Sequence, residues 1–151
     1  MVCKTVPNIM DAAKSGKTIL YHEAICHCRH KTILKTFLNK IDFEKYKNSS
    51  FEDIFLDVQN LNDTYGSIGA VTIYDIASDI FRHHGNLIDK VYIVGSGPKR
   101  AVKLLGLQTS VNRTIKLKYV SIDDVVNKLK LNTTKDGDLL ETFICIWQKS
   151  Q

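Results

Sequence analysis

Apolar residues recur at the spacing of an α-helix over most of the chain, and this periodicity is its clearest structural signal. Stripes of this kind run through residues 9–20, 22–41, 51–61, 71–81 and 139–147. A chain of this length usually forms one domain around one hydrophobic core. The pattern therefore predicts a mainly α fold of six or seven helices, organised as a single domain over residues 1–151.

Capping residues indicate where several of these helices begin and end. Ser49 begins an S-x-x-E capping box, and Ser121 begins a similar S-x-x-D pattern before an apolar run. Pro98 suits a first helical position, and Gly106 suits the left-handed position that follows a last turn. These residues predict a helix over residues 98–105.

Two short segments favour β-structure instead. The β-branched run KVYIV predicts a strand or a tight connection. In TIKLKYV, the residues Ile115, Leu117 and Tyr119 alternate with polar or basic neighbours, which is typical of a half-exposed strand. We therefore expect at most a small two-stranded β element beside the helices.

Two glycine turns precede predicted helices. In YGSIGAVTIYDIA the turn contains Gly69, and in VGSGPKRAVKLLG it is flanked by Gly95 and Gly97. A helix-hairpin-helix unit joins two short helices by Gly-hydrophobic-Gly, which permits a tight turn and leaves N–H groups unpaired at the second helix. Such N–H groups bind DNA phosphates, helped by the helix dipole. Ser67 and Ser96 depart from the motif, so neither copy is complete.

Basic residues follow the second turn. The chain has a net charge of +5, and from Lys90 to Lys118 it contains no acidic residue. This charge predicts salt-dependent contact with a DNA phosphate backbone. The predicted contact residues are Gly69, Gly95, Gly97, Lys99, Arg100 and Lys103. Ordinary helix capping and a solvated basic face explain the same residues without a ligand. A dinucleotide-binding loop is disfavoured, because Arg100 occupies a position that needs a small residue.

The segment GSIGAVTIYDIASDIFRHHGNLIDK resembles the hairpin region of the helix-hairpin-helix DNA glycosylases. The resemblance implies a helical, glycosylase-like domain whose hairpin grips the DNA backbone. Val71 stands where some members carry a lysine nucleophile, so Schiff-base chemistry is not expected. Asp89 lies near the position of the family's essential Asp, which implies that it stabilises an oxocarbenium-like sugar or orients a water. Asp75, an acid within an apolar helix, is the other candidate.

Three further segments, SIGAVTIYDIA, KVYIVGSGPKRAVKLLGL and LLETFICIW, are together similar to a family of small uncharacterised bacterial proteins. That similarity implies one integrated domain and carries no activity. Our leading hypothesis is therefore a DNA-backbone-binding helical protein. The alternatives are a minimal monofunctional base glycosylase or other hydrolase that uses Asp89 or Asp75, and a non-catalytic module that binds a protein or a small ligand.

The segment YHEAICHCRHK contains His22, Cys26, His27 and His30, which zinc would accept as ligands. A structural zinc site usually takes its ligands from two separated pairs, and no second pair is present, so we predict no metal and no cofactor. A mixed surface and core helix explains these residues, with metal binding as the alternative. No apolar run approaches the ~20 residues of a membrane span, and no signal peptide is evident, so we expect a cytoplasmic protein with reduced cysteines.

Overall fold

The computed structural model describes residues 39–65 and 68–151, and these residues fall into two compact units. The first unit contains the described residues up to Asn86, and the second contains residues 87–151. The described elements are a 3-10 turn (Phe43–Tyr46), α1 (Phe51–Tyr65), α2 (Ala70–His83), β1 (Val91–Tyr92), α3 (Ser96–Leu105), β2 (Ser110–Asn112), β3 (Leu117–Val120), α4 (Ile122–Leu129), α5 (Gly137–Trp147) and a C-terminal 3-10 turn (Gln148–Ser150). The prediction of a mainly helical fold is confirmed for this part of the chain.

Some predictions fall outside the described residues. The helix predicted over residues 9–20 lies wholly outside them, and so does most of the helix predicted over residues 22–41. The same is true of His22, Cys26, His27 and His30. In residues 39–65 and 68–151, no helix is both long and apolar enough to cross a membrane.

Helix α1 begins one residue later than the capping pattern predicts. The backbone N–H of Asp53 donates to Ser50 Oγ over 3.1 Å, so Ser50 rather than Ser49 caps the helix. An acidic first turn favours the positive end of the helix dipole, and Glu52 and Asp53 both supply this charge. The helix continues to Tyr65, past the apolar stripe over residues 51–61.

The Asn62 side chain bonds the backbone that leads into α2. Asn62 accepts from the Ile68 N–H and donates to the Ile68 carbonyl, each over 3.2 Å. Gly69 then caps α2 with an ordinary extended backbone, at φ −82° and ψ 171°. A glycine at φ +81°, Gly85, follows the helix.

The core of the first unit is aromatic and aliphatic. Phe51 packs edge-on against Tyr74 and Phe81, with ring centroids 5.9 and 5.8 Å apart. Helix α2 is buried on more than its apolar side, because Asp75 and Arg82 are also almost fully inaccessible. Among the residues that the structure describes in this unit, the other core residues are Tyr46, Ile54, Phe55, Val58, Ile68, Ile73, Ile76, Ala77 and Ile80.

Tyr46 makes the stability of the first unit depend on pH in the alkaline range. Burial of its side chain, followed by the charges of Asp57 and Asp42, raises the pKa of Tyr46. A raised folded-state pKa stabilises the protein below the unfolded value of about 10, and this contribution is lost as pH rises through the folded pKa. We therefore expect the gap in stability between wild type and Tyr46→Phe to shift in favour of the variant above pH ~10, because the variant has no phenol to ionise. Urea unfolding across this range measures it; a constant gap would contradict the role of the phenol.

The second unit contains a three-stranded antiparallel sheet in the order β1-β3-β2. Val91 pairs with Val120, and Val111 pairs with Lys118. The expectation of at most two strands is therefore wrong. Strand β2 has the sequence Ser-Val-Asn and is largely exposed, so it has no alternating apolar pattern to reveal it.

Helices α3 and α5 pack against each other, and α5 also packs against β1. Helix α3 begins at Ser96, so Pro98 is its third residue rather than its first. Gly106 adopts φ +65° after the last turn, as predicted. The predicted cap of α4 is also confirmed, since the Asp124 N–H donates to Ser121 Oγ over 3.0 Å.

Helix α5 starts at a close backbone contact. The buried Asp136 carboxylate accepts from the Leu139 N–H over 3.1 Å and caps the helix. The Gly137 N–H donates to the Ile88 carbonyl over 2.8 Å. A β-carbon at position 137 would overlap the Lys90 carbonyl oxygen. Glycine therefore allows α5 to dock directly on the chain that leads into β1.

Candidate nucleic-acid interface

The two units differ in charge. Residues 39–86 contain four Lys and Arg and eight Asp and Glu, whereas residues 87–151 contain eleven Lys and Arg and six Asp and Glu. In the second unit Asp136, Asp138 and Glu141 are buried, while ten of the eleven basic residues are exposed. The exposed acids of residues 87–151 are Asp89, Asp123 and Asp124. The surface formed by these residues is therefore more basic than their sequence indicates.

Helix α3 carries part of this charge on one side, which we call the basic face: Lys99, Arg100 and Lys103. All three residues are exposed, and Lys99 and Lys103 lie one helical turn apart. The opposite side of α3 is buried. Its buried residues are Pro98, Ala101, Val102 and Leu105. The amphipathic pattern of the helix thus holds the two lysines in solvent.

Arg100 also has a structural contact. Its Nη1 donates to Gln148 Oε1 over 2.8 Å and to the Gln148 carbonyl over 3.3 Å. Gln148 is buried, and its side-chain nitrogen donates to the Cys145 carbonyl over 3.1 Å. Arg100 therefore joins α3 to the C-terminal 3-10 turn, which the sequence pattern did not indicate.

The two glycines of the second turn serve different purposes. Gly95 has φ +86° and ψ 176°, a conformation that is essentially restricted to glycine. Gly97 is needed for space, because a β-carbon there would lie 2.5 Å from Cys145 Sγ. Gly69 differs from both, since its backbone is ordinary and the space around it is open. The predicted phosphate role of these glycines is untested, and Gly97 already has a packing role.

The hairpin formed by β2 and β3 adds basic residues to the same unit. Arg113, Lys116 and Lys118 are exposed, and Lys116 adopts φ +58° in the turn. Lys118 lies directly across from Val111, which is 51% exposed. Lys90, by contrast, is partly buried, and its Nζ lies 3.1 Å from Asp89 Oδ1.

The two candidate catalytic acids have opposite surroundings. The Asp89 side chain is 82% exposed and is paired with Lys90. Asp75 is buried in α2 rather than exposed to solvent. Among the described residues, no three His, Cys, Asp or Glu side chains are grouped closely enough to hold a metal ion. Neither carboxylate gains support as a catalytic group from this geometry.

No protein-family model, characterised protein or solved structure matches the chain significantly. The helix-hairpin-helix hypothesis therefore depends on local geometry alone. The turn containing Gly69 lies between helices α1 and α2, as the motif requires. The turn containing Gly95 and Gly97 follows strand β1, so it is a strand–turn–helix unit rather than a second helical hairpin.

Proposed function

We propose that the second unit binds the phosphate backbone of nucleic acid, with the basic face of α3 and the β2–β3 hairpin as its contact surfaces. The observation that carries this proposal is the exposure of ten basic residues beside three exposed acids in residues 87–151. A surface of this charge attracts a polyanion and releases its condensed counterions, so binding depends strongly on salt and little on sequence.

Lys99 and Lys103 are the contacts that best separate binding from folding. Both are exposed on α3, and neither takes part in the contact that Arg100 makes with Gln148. Removing their charges should therefore leave the packing of α3 on α5 intact. An Arg100 substitution would disturb that packing as well as any phosphate contact.

We expect Lys99→Ala combined with Lys103→Ala to weaken binding to duplex DNA and to reduce the slope of log K against log salt by about 2. Each lysine that contacts a phosphate contributes about one unit to that slope. Fluorescence anisotropy over a series of salt concentrations measures both the affinity and the slope.

The matched control is Lys135→Ala with Lys149→Ala, which removes the same charge from exposed positions outside α3 and the hairpin. The control should keep most of the slope. If both variants lose the same affinity and slope, net charge alone explains the loss and α3 is not a specific contact surface. The absence of wild-type binding at low salt would reject the proposal.

A further inference from the structure

A cleft of about 330 Å³ lies in the first unit. One wall is a single side of α1, because Asp57, Asn60, Leu61 and Thr64 follow the i, i+3, i+4, i+7 spacing of a helix face. The other wall is the segment around the first 3-10 turn, which contributes Lys40, Asp42, Lys45 and Tyr46. The volume is at the lower end of the range for small-molecule sites.

An ion pair joins the two walls. Lys45 Nζ lies 3.6 Å from Asp57 Oδ2. Lys45 also lies 5.4 Å from the centre of the Tyr46 ring. A carboxylate has about four acceptor positions and an ammonium has three donors. Asp57 and Lys45 thus retain hydrogen-bonding capacity toward a ligand.

The charges of the cleft are balanced. Two carboxylates, Asp42 and Asp57, line it together with two ammonium groups, Lys40 and Lys45. The Asp57 side chain is 44% exposed, and that of Lys45 is 65% exposed, so both charges are open to solvent. A ligand with a single charge would meet repulsion from one pair, whereas a ligand with both charges would find a complement for each.

We propose that this cleft binds a free α-amino acid as its zwitterion. The ligand's ammonium group lies against the carboxylate of Asp57, and its carboxylate lies against Lys45. Asn60 supplies an amide that both donates and accepts, and Leu61 supplies the apolar wall for a ligand side chain. This site does not depend on nucleic-acid binding by the second unit.

The test is calorimetric titration of the full-length protein with each of the common amino acids at up to about 10 mM. We expect saturable binding of at least one amino acid. Its decarboxylated amine and its N-acetyl derivative, each of which lacks one charge, should bind at least about tenfold more weakly. No saturable heat with any amino acid, or equal binding of the amine or the N-acetyl derivative, would overturn the proposal.

Variants of α1 locate the site. We expect Asp57→Asn to lower the affinity about tenfold or more, because it removes the charge but keeps the shape of the side chain. Asp53→Asn is the matched control, since Asp53 is exposed on the same helix but does not line the cleft. Circular dichroism checks that each variant is folded, and Asn60→Ala, at an exposed position, gives a second measurement at the same wall. Unchanged affinity in both Asp57→Asn and Asn60→Ala would overturn the assignment.

Discussion

Replacing Gly137 with alanine is expected to destabilise the second unit by about 3 kcal/mol or more, at the high end of the cost of overpacking. The added methyl group would overlap the carbonyl oxygen of Lys90, which is a backbone atom. A side chain can rotate away from such an overlap, but a backbone carbonyl moves only with its strand. The first turn of α5 would therefore have to move away from the segment that precedes β1.

This movement would also break a buried hydrogen bond, which lowers the stability further. The Gly137 N–H donates to the Ile88 carbonyl over 2.8 Å, and both groups lie in a buried region. Leaving them unpaired would cost roughly a further 1–3 kcal/mol. Each group gives up its hydrogen bond to water on folding, and without its partner it would have no bond in return. Intrinsic helix propensity acts in the opposite direction, since alanine is favoured over glycine in a helix by about 1 kcal/mol. A large loss of stability would therefore identify the close backbone contact as its cause.

Urea unfolding followed by circular dichroism measures the change in the free energy of unfolding for Gly137→Ala. Gly69→Ala is the matched control, because Gly69 has an ordinary φ of −82° and no atom within 4 Å of an added β-carbon. The control should lose about 1 kcal/mol or less, because its only cost is the lower preference for alanine at an N-cap. A Gly137→Ala protein as stable as wild type would contradict the close contact between α5 and residues 88–90.

The sequence predicts features that depend on local chemistry. The N-cap at Ser121 and the glycine end of α3 at Gly106 need only the residues beside them, and both are present. Strand β2 is different, because its polar residues gain strand structure only by pairing with Leu117, Lys118 and Tyr119. The sequence of β2 therefore lacks the alternating apolar pattern by which a strand is predicted.

At the candidate interface, too, the sequence predicts the features that depend on neighbouring residues but not those that depend on tertiary contacts. The sequence places Lys99 and Lys103 on an amphipathic helix, and the structure confirms that they are exposed. It does not indicate that Arg100 bonds Gln148, because the two residues are 48 positions apart. Nor does it indicate that Asp138 and Glu141 are buried, since burial of an acid depends on tertiary packing. The sequence therefore identifies the basic residues but underestimates the charge asymmetry of the surface.

A phosphate-binding role and a packing role for Gly97 predict different effects of substituting this residue. We expect Gly97→Ala to destabilise the second unit by about 1–3 kcal/mol, because its β-carbon would lie 2.5 Å from Cys145 Sγ. Cys145→Ala removes that sulfur atom and leaves the Cys145 β-carbon position 3.6 Å away, which is ordinary contact. The double variant should therefore recover most of the loss, with a coupling of about 1–2 kcal/mol in a double-mutant cycle.

The same variants separate the two roles of the turn. If Gly97 contributes only packing, the double variant keeps both its stability and its salt-dependent binding to DNA, because Lys99 and Lys103 are unchanged and α3 returns to its place. If the backbone at Gly97 must itself approach a phosphate, the added β-carbon obstructs the ligand, so stability recovers while affinity does not. Unfolding and anisotropy measurements on one set of four proteins distinguish these outcomes. We expect recovery of both properties, because the space beside Gly97 is already occupied by Cys145.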